Sequence, residues 1–459
     1  MKQSLRILQV NSHDIFGGAE GSTTNLFRAY RSKGHASWLA VGYKYSNDPD
    51  IFLFRNDRTR NLWARFWWLM DAQLQPYIGR IRGLGRVTSL ARWLAQPQAW
   101  IDTYRGIENF NAPGAWHLLD LTPQRPDIVH CHNLHGQYFD LRALPWLSSQ
   151  VPVILNLRDA WLLSGHCAHS FDCERWKIGC GQCPYLKIYP PVRRDATAYN
   201  WQRKADIYAQ SRLYITAPSE WLMNKVQQSM LKGVQYRVIP NAIDLAVFKP
   251  GDQIAARREL GLPHPASVVL FTAHNMFKDY RVMEMALERL PKPDSAPLIF
   301  VCLGKKQADR AVGAGRMVYP GFERNPQRMA LYYRAADVFI HAAKDEAFGK
   351  TVTEAMACGT PVVATRVGGI VEQIEHERTG FLVPPGDSQA MTAAITRVFI
   401  QSQLRETVRR AGIVEVGQRF SLERQVQNFL DWYQEILEDW QKSAPVVVNQ
   451  HGHSTGKLV

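Results

Sequence analysis

No stretch of the sequence approaches ~18 uninterrupted apolar residues, so a membrane-crossing helix is not expected. The opening residues, MKQSLRILQVNSHD, turn polar after a few apolar positions and hold no signal-peptide core. A cytoplasmic chain is expected from these two absences. Cysteine is scarce, with 7 in 459 residues, which excludes a secreted disulfide scaffold. Acidic residues are in deficit: 41 Asp and Glu face 55 Lys and Arg, leaving a net charge of +14. That balance favours anionic partners, whether nucleic acid, an acidic membrane surface or phosphorylated ligands. A Ser-His-Asp or Cys-His nucleophile signature is also missing.

What is present is a rhythm. Short apolar runs at 5–11, 38–43, 127–133, 153–159 and 213–219 alternate with helical stretches. The pattern restarts at 267–274, 298–304, 317–322, 337–342 and 361–365. Continuous apolar runs mark buried parallel strands, so the expected fold class is α/β, with two doubly wound domains facing a cleft. The Pro- and Asn-punctuated stretch IPNAIDLAVFKPGD (239–252) marks the seam. The expected units are 1–245, 246–425, a C-terminal helix at 426–442 within an amphipathic pattern that begins near 422, and a disordered tail at 443–459.

One segment breaks the rhythm. Residues 55–105 contain nine Arg, three Asp, five Trp and no Lys. Trp63, Phe66, Trp67 and Met70 fall at helical spacing, as do Val87, Leu90, Ala91 and Leu94. Two amphipathic helices flanked by arginine suit peripheral contact with a membrane interface. The competing reading is an ordinary insertion with its Trp rings in the core.

The sharpest chemistry lies in HAAKDEAFGKTVTEAMACGTPVVAT (341–365). A strand should end near His341, and a short helix should begin near Lys350 and stop at Gly359 in a left-handed cap. Glu346 then sits in the loop at the strand tip and Glu354 one turn into the helix. Between them the unpaired N–H groups of Phe348, Gly349, Lys350 and Thr351 point outward at the positive end of the helix dipole. This suits a diphosphate flanked by carboxylates that accept hydrogen bonds from sugar hydroxyls.

The stretch DEAFGKTVTEAMACGTPVVATRVGG closely resembles the donor-binding signature of glycosyltransferase family 4, the retaining enzymes of GT-B fold that use nucleotide sugars. LYYRAADVFIHAAKDEAFG, IPNAIDLAVFKP and GFLVPPGD follow the order seen in that family, and the resemblance spans about residues 5–435. It implies that Glu354 binds the nucleotide ribose and that Glu346 lies against the transferred sugar. The family's basic pair after the first strand of the second domain falls here in TAHNMFKDYR. The usual Arg is not at its place, so Lys278 is the candidate phosphate contact and Arg281 the second. In the first domain, Gly17 and Gly18 of DIFGGAEGS would let backbone approach the donor.

HCHNLHG (130–136) and RDAWLLSGHC (158–167) resemble a bacterial exopolysaccharide and O-antigen subgroup of the family. They put His132, Arg158 and Asp159 among the candidate catalytic residues. Arg158 stands where the subgroup has histidine. The subgroup also carries the four-cysteine block seen here in a loop at 166–184, with Cys167, Cys173, Cys180 and Cys183. Four thiols in that span could hold a structural zinc, and a reduced cluster or a redox pair is the alternative. No catalytic metal or other cofactor is expected, because no Asp-x-Asp motif stands where one would bridge the phosphates.

The expected function is a retaining hexosyltransferase moving a sugar from a UDP- or GDP-linked donor to a lipid-linked or glycan acceptor in surface polysaccharide synthesis. It would work peripherally on the inner face of the cytoplasmic membrane. A sugar-nucleotide epimerase or hydrolase of the same fold is the alternative, with a basic nucleic-acid-binding protein a remote third. Nothing in the chain resembles a nucleic-acid-binding module, so nucleic acid is not an expected partner.

Overall fold

The computed structural model describes residues 4–442 except 16, 58, 79, 80, 82, 274–276 and 292–295. The tail at 443–459 and three residues of TAHNMFKDYR, His274, Asn275 and Met276, lie outside the described residues.

Two seven-stranded sheets organise the chain. The first holds β1 (Arg6–His13), β2 (Ala36–Tyr43), β3 (Ile51–Leu53), β4 (Ile128–His132), β5 (Val153–Asn156), β6 (Leu213–Ala217) and β7 (Tyr236–Val238), in the order β3-β2-β1-β4-β5-β6-β7. All of its neighbours pair in parallel. The second holds β8 (Ser267–Thr272), β9 (Leu298–Leu303), β10 (Arg310–Val312), β11 (Gly315–Gly321), β12 (Val338–His341), β13 (Val362–Thr365) and β14 (Phe381–Val383). Its order is β10-β11-β9-β8-β12-β13-β14, parallel except for the β10–β11 hairpin. Central strands such as β4, β5 and β12 are buried at every residue, which is why they read as unbroken apolar runs. The four strands that the apolar pattern did not reveal, β3, β7, β10 and β14, each have only 3 residues, too few to show a pattern.

The last helix, Leu422–Lys442, starts earlier than 426 because Ser421 Oγ accepts the Arg424 N–H at 3.3 Å and caps it. It returns to the first domain. Val426, Phe429, Trp432 and Tyr433 pack with Leu5, Ile7, Tyr30 and Ile128. The Tyr433 hydroxyl lies 2.7 Å from His130 Nδ1 and 3.1 Å from the Tyr30 hydroxyl. The two crossings between domains run side by side, joined where the Ile243 N–H donates to the Phe420 carbonyl at 2.8 Å.

The 55–105 segment forms helices Leu62–Leu74 and Leu84–Ala95, which pack on each other. Trp63 Nε1 donates to the Leu94 carbonyl at 2.8 Å, and Arg92 pairs with the buried Asp71. Their apolar stripe is not covered: Leu62 is 80% exposed, Trp63 58%, Phe66 54% and Leu90 54%. Among the described residues, no helix is long and apolar enough to cross a membrane.

Candidate functional site

Among the parallel strands of each sheet the order reverses once, between β1 and β4 and between β8 and β12. Ligands of open α/β sheets bind in the crevice outside the strand ends at such a point. The loops that leave these four strands carry most of the candidate residues.

On the second domain, the loops after β8 and β12 are zipped together. Lys278 bridges Ala343, the Asp279 N–H donates to the Ala342 carbonyl at 2.9 Å, and the Lys344 N–H donates to the Phe277 carbonyl at 3.2 Å. Side chains continue the zipper. Lys278 Nζ donates to Glu346 Oε2 at 2.8 Å and also to His341 Nε2. Burial, with Lys278 beside it, lowers the His341 pKa to about 4, so the ring is neutral and its Nε2 accepts. Burial pushes the Glu346 carboxyl upward. The charge of Lys278 outweighs that and holds it well below the usual carboxylate range. Glu346 is therefore an anion fixed in place before any ligand arrives.

The loop is clasped from beneath by a glycine pair. Gly369 donates its N–H to the Glu346 carbonyl at 2.9 Å. A Cβ on Gly368, at φ +53°, would stand 1.9 Å from that carbonyl oxygen, and one on Gly369 would stand 2.4 Å from the Ala347 carbonyl.

Gly349, at φ +83°, turns the chain into helix Lys350–Ala357. Among the described residues, none of the N–H groups from Phe348 to Thr351 meets an acceptor. The helix ends as expected. The Thr360 N–H reaches the Ala355 carbonyl at 2.9 Å and the Gly359 N–H reaches that of Met356 at 3.0 Å, with Gly359 at φ +78°. Glu354 is buried and accepts from the Tyr333 hydroxyl at 3.0 Å, with Lys350 Nζ at 3.8 Å. Burial raises its pKa above the ordinary glutamate value, against the pull of Lys350 and Tyr333.

On the first domain, Gly17 (φ +86°) and Gly18 are exposed at the start of helix Gly18–Ser32. A Cβ on Gly17 would meet the Glu20 carboxylate at 2.2 Å. After β4, His135 Nε2 pairs with Asp159 Oδ2 at 3.3 Å. Burial disfavours charge on both, yet their mutual attraction prevails, raising the His135 pKa and lowering that of Asp159. The Tyr189 hydroxyl lies 3.5 Å from the other nitrogen of His135.

The two halves touch. Ser219 Oγ donates to the Ala347 carbonyl at 2.7 Å, and the Glu372 carboxylate accepts the first N–H groups of helix Glu220–Gln227 at 2.9 and 2.8 Å. The cysteine-bearing loop reaches over as well. His169 Nδ1 lies 3.7 Å from Asp345 Oδ2, and the His169 ring lies 3.8 Å from the Phe277 ring. Those contacts fall next to Glu346 and Lys278 in sequence.

Residues 16–247 match the family model described as Glycosyltransferase Family 4, and residues 252–414 match that of Glycosyl transferases group 1. The chain belongs to glycosyltransferase family 4. It is 30% identical over 343 residues to a D-inositol 3-phosphate glycosyltransferase of Saccharomonospora viridis, an alignment covering 69% of this chain and 72% of that one. It is 24% identical over 381 residues to WcaC of Escherichia coli K12, named as a glycosyl transferase of colanic acid biosynthesis, covering 79% and 83%. That likeness fits the exopolysaccharide subgroup. Among solved structures, a sucrose-phosphate synthase from Thermosynechococcus elongatus superposes with a TM-score of 0.64 at 18% identity, over 95% of this chain and all of that one. Anabaena HepE, solved with UDP-glucose, gives 0.58 at 16% identity over 94% and 100%. The fold is GT-B.

Within this glycosyltransferase, the structure brings Lys278 and Glu346 into one cluster and sets Glu354 and the four N–H groups on the adjoining helix. Phe348 contributes only backbone, since its ring packs in the core against Phe420. Arg281 is exposed in the first turn of helix Tyr280–Glu288, apart from that cluster. His132 is 0% exposed and bonds to Gln9, Asn156 and Arg158, so it supports Arg158 and does not face the cleft. Cys167, Cys173, Cys180 and Cys183 line one cavity of about 20 Å³ with His166. All four are free thiols, and burial raises Cys167 to about 11 and Cys180 to about 12. Among the described residues, no group of three or more His, Cys, Asp or Glu is placed to hold a metal ion.

Sequence reasoning passed over His341, His169 and the Gly368–Gly369 clasp. The doublet in TRVGG was the available signal for the clasp; nothing local marks the two histidines. Gly368→Ala should destabilise the protein by about 1–3 kcal/mol in urea unfolding and weaken nucleotide binding. Gly386→Ala, at φ +80° with open space around it, is the control for backbone strain alone. Equal behaviour of the two variants would show that the clasp does not hold the Glu346 loop.

Proposed function

We propose that the chain is a retaining hexosyltransferase that takes a UDP- or GDP-linked sugar and passes it to a lipid-linked or glycan acceptor of a bacterial surface polysaccharide. The observation carrying this reading is the row of unengaged N–H groups at 348–351 between the buried Glu354 and the part-buried Glu346, the latter held ionised by Lys278. The diphosphate would lie on those amides, the ribose on Glu354 and the sugar against Glu346. HepE is a GT-B neighbour whose structure contains UDP-glucose.

In this reaction the bond from the sugar anomeric carbon to the β-phosphate oxygen breaks, and the acceptor oxygen bonds to the same face. The acceptor proton passes to the departing phosphate, so no protein nucleophile is needed. Lys278, the helix N-terminus and the Gly17–Gly18 loop would stabilise the leaving diphosphate.

Calorimetric titration with UDP and GDP in EDTA should give micromolar binding of one nucleotide, lost in Glu354→Ala. Unchanged binding in the variant would sink the ribose assignment. The carboxyl of Glu354 must be ionised to accept two hydroxyls, and its pKa is raised. Affinity should therefore fall with acidification, starting above the ordinary glutamate value of about 4.3. Glu354→Gln should flatten that dependence.

The bare apolar stripe of the insertion helices, bordered by arginine, supports peripheral docking on an anionic bilayer from the cytoplasmic side. Co-sedimentation with vesicles containing phosphatidylglycerol should be strong for the native chain. Trp63→Glu/Phe66→Glu should reduce it at least about tenfold, given ~2 kcal/mol or more for two rings withdrawn from the interface. Equal sedimentation of both would exclude this face.

The four thiols around one cavity have the donor chemistry of a structural zinc site, although they are not grouped for one here. Elemental analysis of purified protein should find about one zinc per chain. None, with the thiols still reactive, would leave a reduced cluster.

A further inference from the structure

Arg158 is a cation without an anion. It follows β5 at the crevice of the first sheet, part-buried. One terminal nitrogen donates to the Asn241 side-chain oxygen in the linker, and the other to His132 Nδ1 at 3.2 Å. Its Nε is buried and, among the described residues, meets no acceptor. Both of its partners are neutral. Asn241 is an amide, and burial, with His130 and Arg158 itself, holds His132 well below the ordinary histidine pKa.

Nearby acids are spoken for. One oxygen of Asp159 accepts the Trp161 N–H at 2.8 Å and the other pairs with His135. Glu20 acts on Arg158 through its field, and Ser12 Oγ donates to it at 3.3 Å. Among the described residues, no carboxylate stands within ion-pair distance of the guanidinium. A desolvated guanidinium left in this state lacks the Coulomb attraction that normally offsets its burial. Its planar fork matches a carboxylate or a phosphate, and a ligand bearing either would supply the missing charge.

We propose that Arg158 binds an anionic group carried by the substrate on the acceptor side of the cleft. The chain would then handle either a carboxylate-bearing sugar or a phosphate-bearing acceptor, and not the transfer of a neutral sugar to an uncharged acceptor. This rests on the nucleotide-sugar reading above and deepens it. The neighbouring His135–Asp159 pair engages Asp159, so that carboxylate is not bonded to the guanidinium fork.

The test compares matched probes on the full chain by calorimetry: UDP-glucose with UDP-glucuronate, GDP-mannose with GDP-mannuronate, and geranyl diphosphate with saturating UDP or GDP present. Arg158→Gln should weaken an acid-bearing probe about tenfold or more, the scale of one lost charge-assisted hydrogen bond, while the neutral sugar nucleotide changes by less than about twofold. Arg158→Lys should keep part of the preference, and its binding curves guard against a misfolded Gln variant. A loss confined to the uronate probes puts the anion on the donor. A loss confined to geranyl diphosphate puts it on the acceptor. Equal weakening of all the probes, each of which carries a diphosphate, or no change in any, overturns the proposal. If neither nucleotide binds the native chain, the donor-site reading has failed, and the geranyl diphosphate titration alone still decides Arg158.

Discussion

The second domain is built around a carboxylate that a neighbouring lysine keeps charged. Glu346 is held as an anion by Lys278, whose side chain is 5% exposed, and the two residues come from loops that leave non-consecutive strands. Breaking one side of such a pair strands the other charge, a loss of about 3–5 kcal/mol. Neither loop can drift without breaking it. The neutral His341 ring, the backbone zipper between residues 277–279 and 342–344, and the glycines packed under the Glu346 carbonyl all restrain the same few atoms. The four N–H groups of the adjoining helix inherit that rigidity, which is what preorganised binding of a charged group requires.

The same loop is where the first domain makes contact. Ser219 reaches the Ala347 carbonyl, Glu372 caps a helix of the opposite domain, and His169 rests on both Asp345 and Phe277. Opening the cleft would separate these contacts together. A polar hydrogen bond, a capping carboxylate and a ring stack are each modest, so the closed arrangement is held by several small terms that solvent can replace. Any separation of the two domains would break contacts to the backbone beside Glu346.

Much of this could be read from the residues. The parallel strands announced themselves because burial on both faces demands unbroken apolar runs, and the helix Lys350–Ala357 was bounded by its capping glycines. Glu346 and Glu354 were singled out by the resemblance of the surrounding stretch to a donor-binding signature, their spacing alone being a weak signal. The partners of Glu346 were less accessible. Lys278 is separated from it by 68 positions, and His341 reads as the last residue of an apolar strand. His132 became a catalytic candidate through the subgroup resemblance, yet its ring is fully buried against Gln9, Asn156 and Arg158. The aromatic rings at 62–70 were ambiguous for the opposite reason: periodicity defines a face and leaves open what covers it. Three-residue edge strands carry too little pattern to be seen at all.

The side-by-side crossings at Ile243 and Phe420 have a consequence for synthesis on the ribosome. The second domain, with its own sheet and core, is spliced into the first, whose outer face at Leu5, Ile7 and Ile128 waits for Phe429 and Trp432. The first domain is translated first but cannot seal its core until residues 422–442 have emerged. Nascent chains should therefore carry a folded second domain beside an unfinished first one, and a truncation near residue 420 would injure the domain that lies farthest from it in sequence.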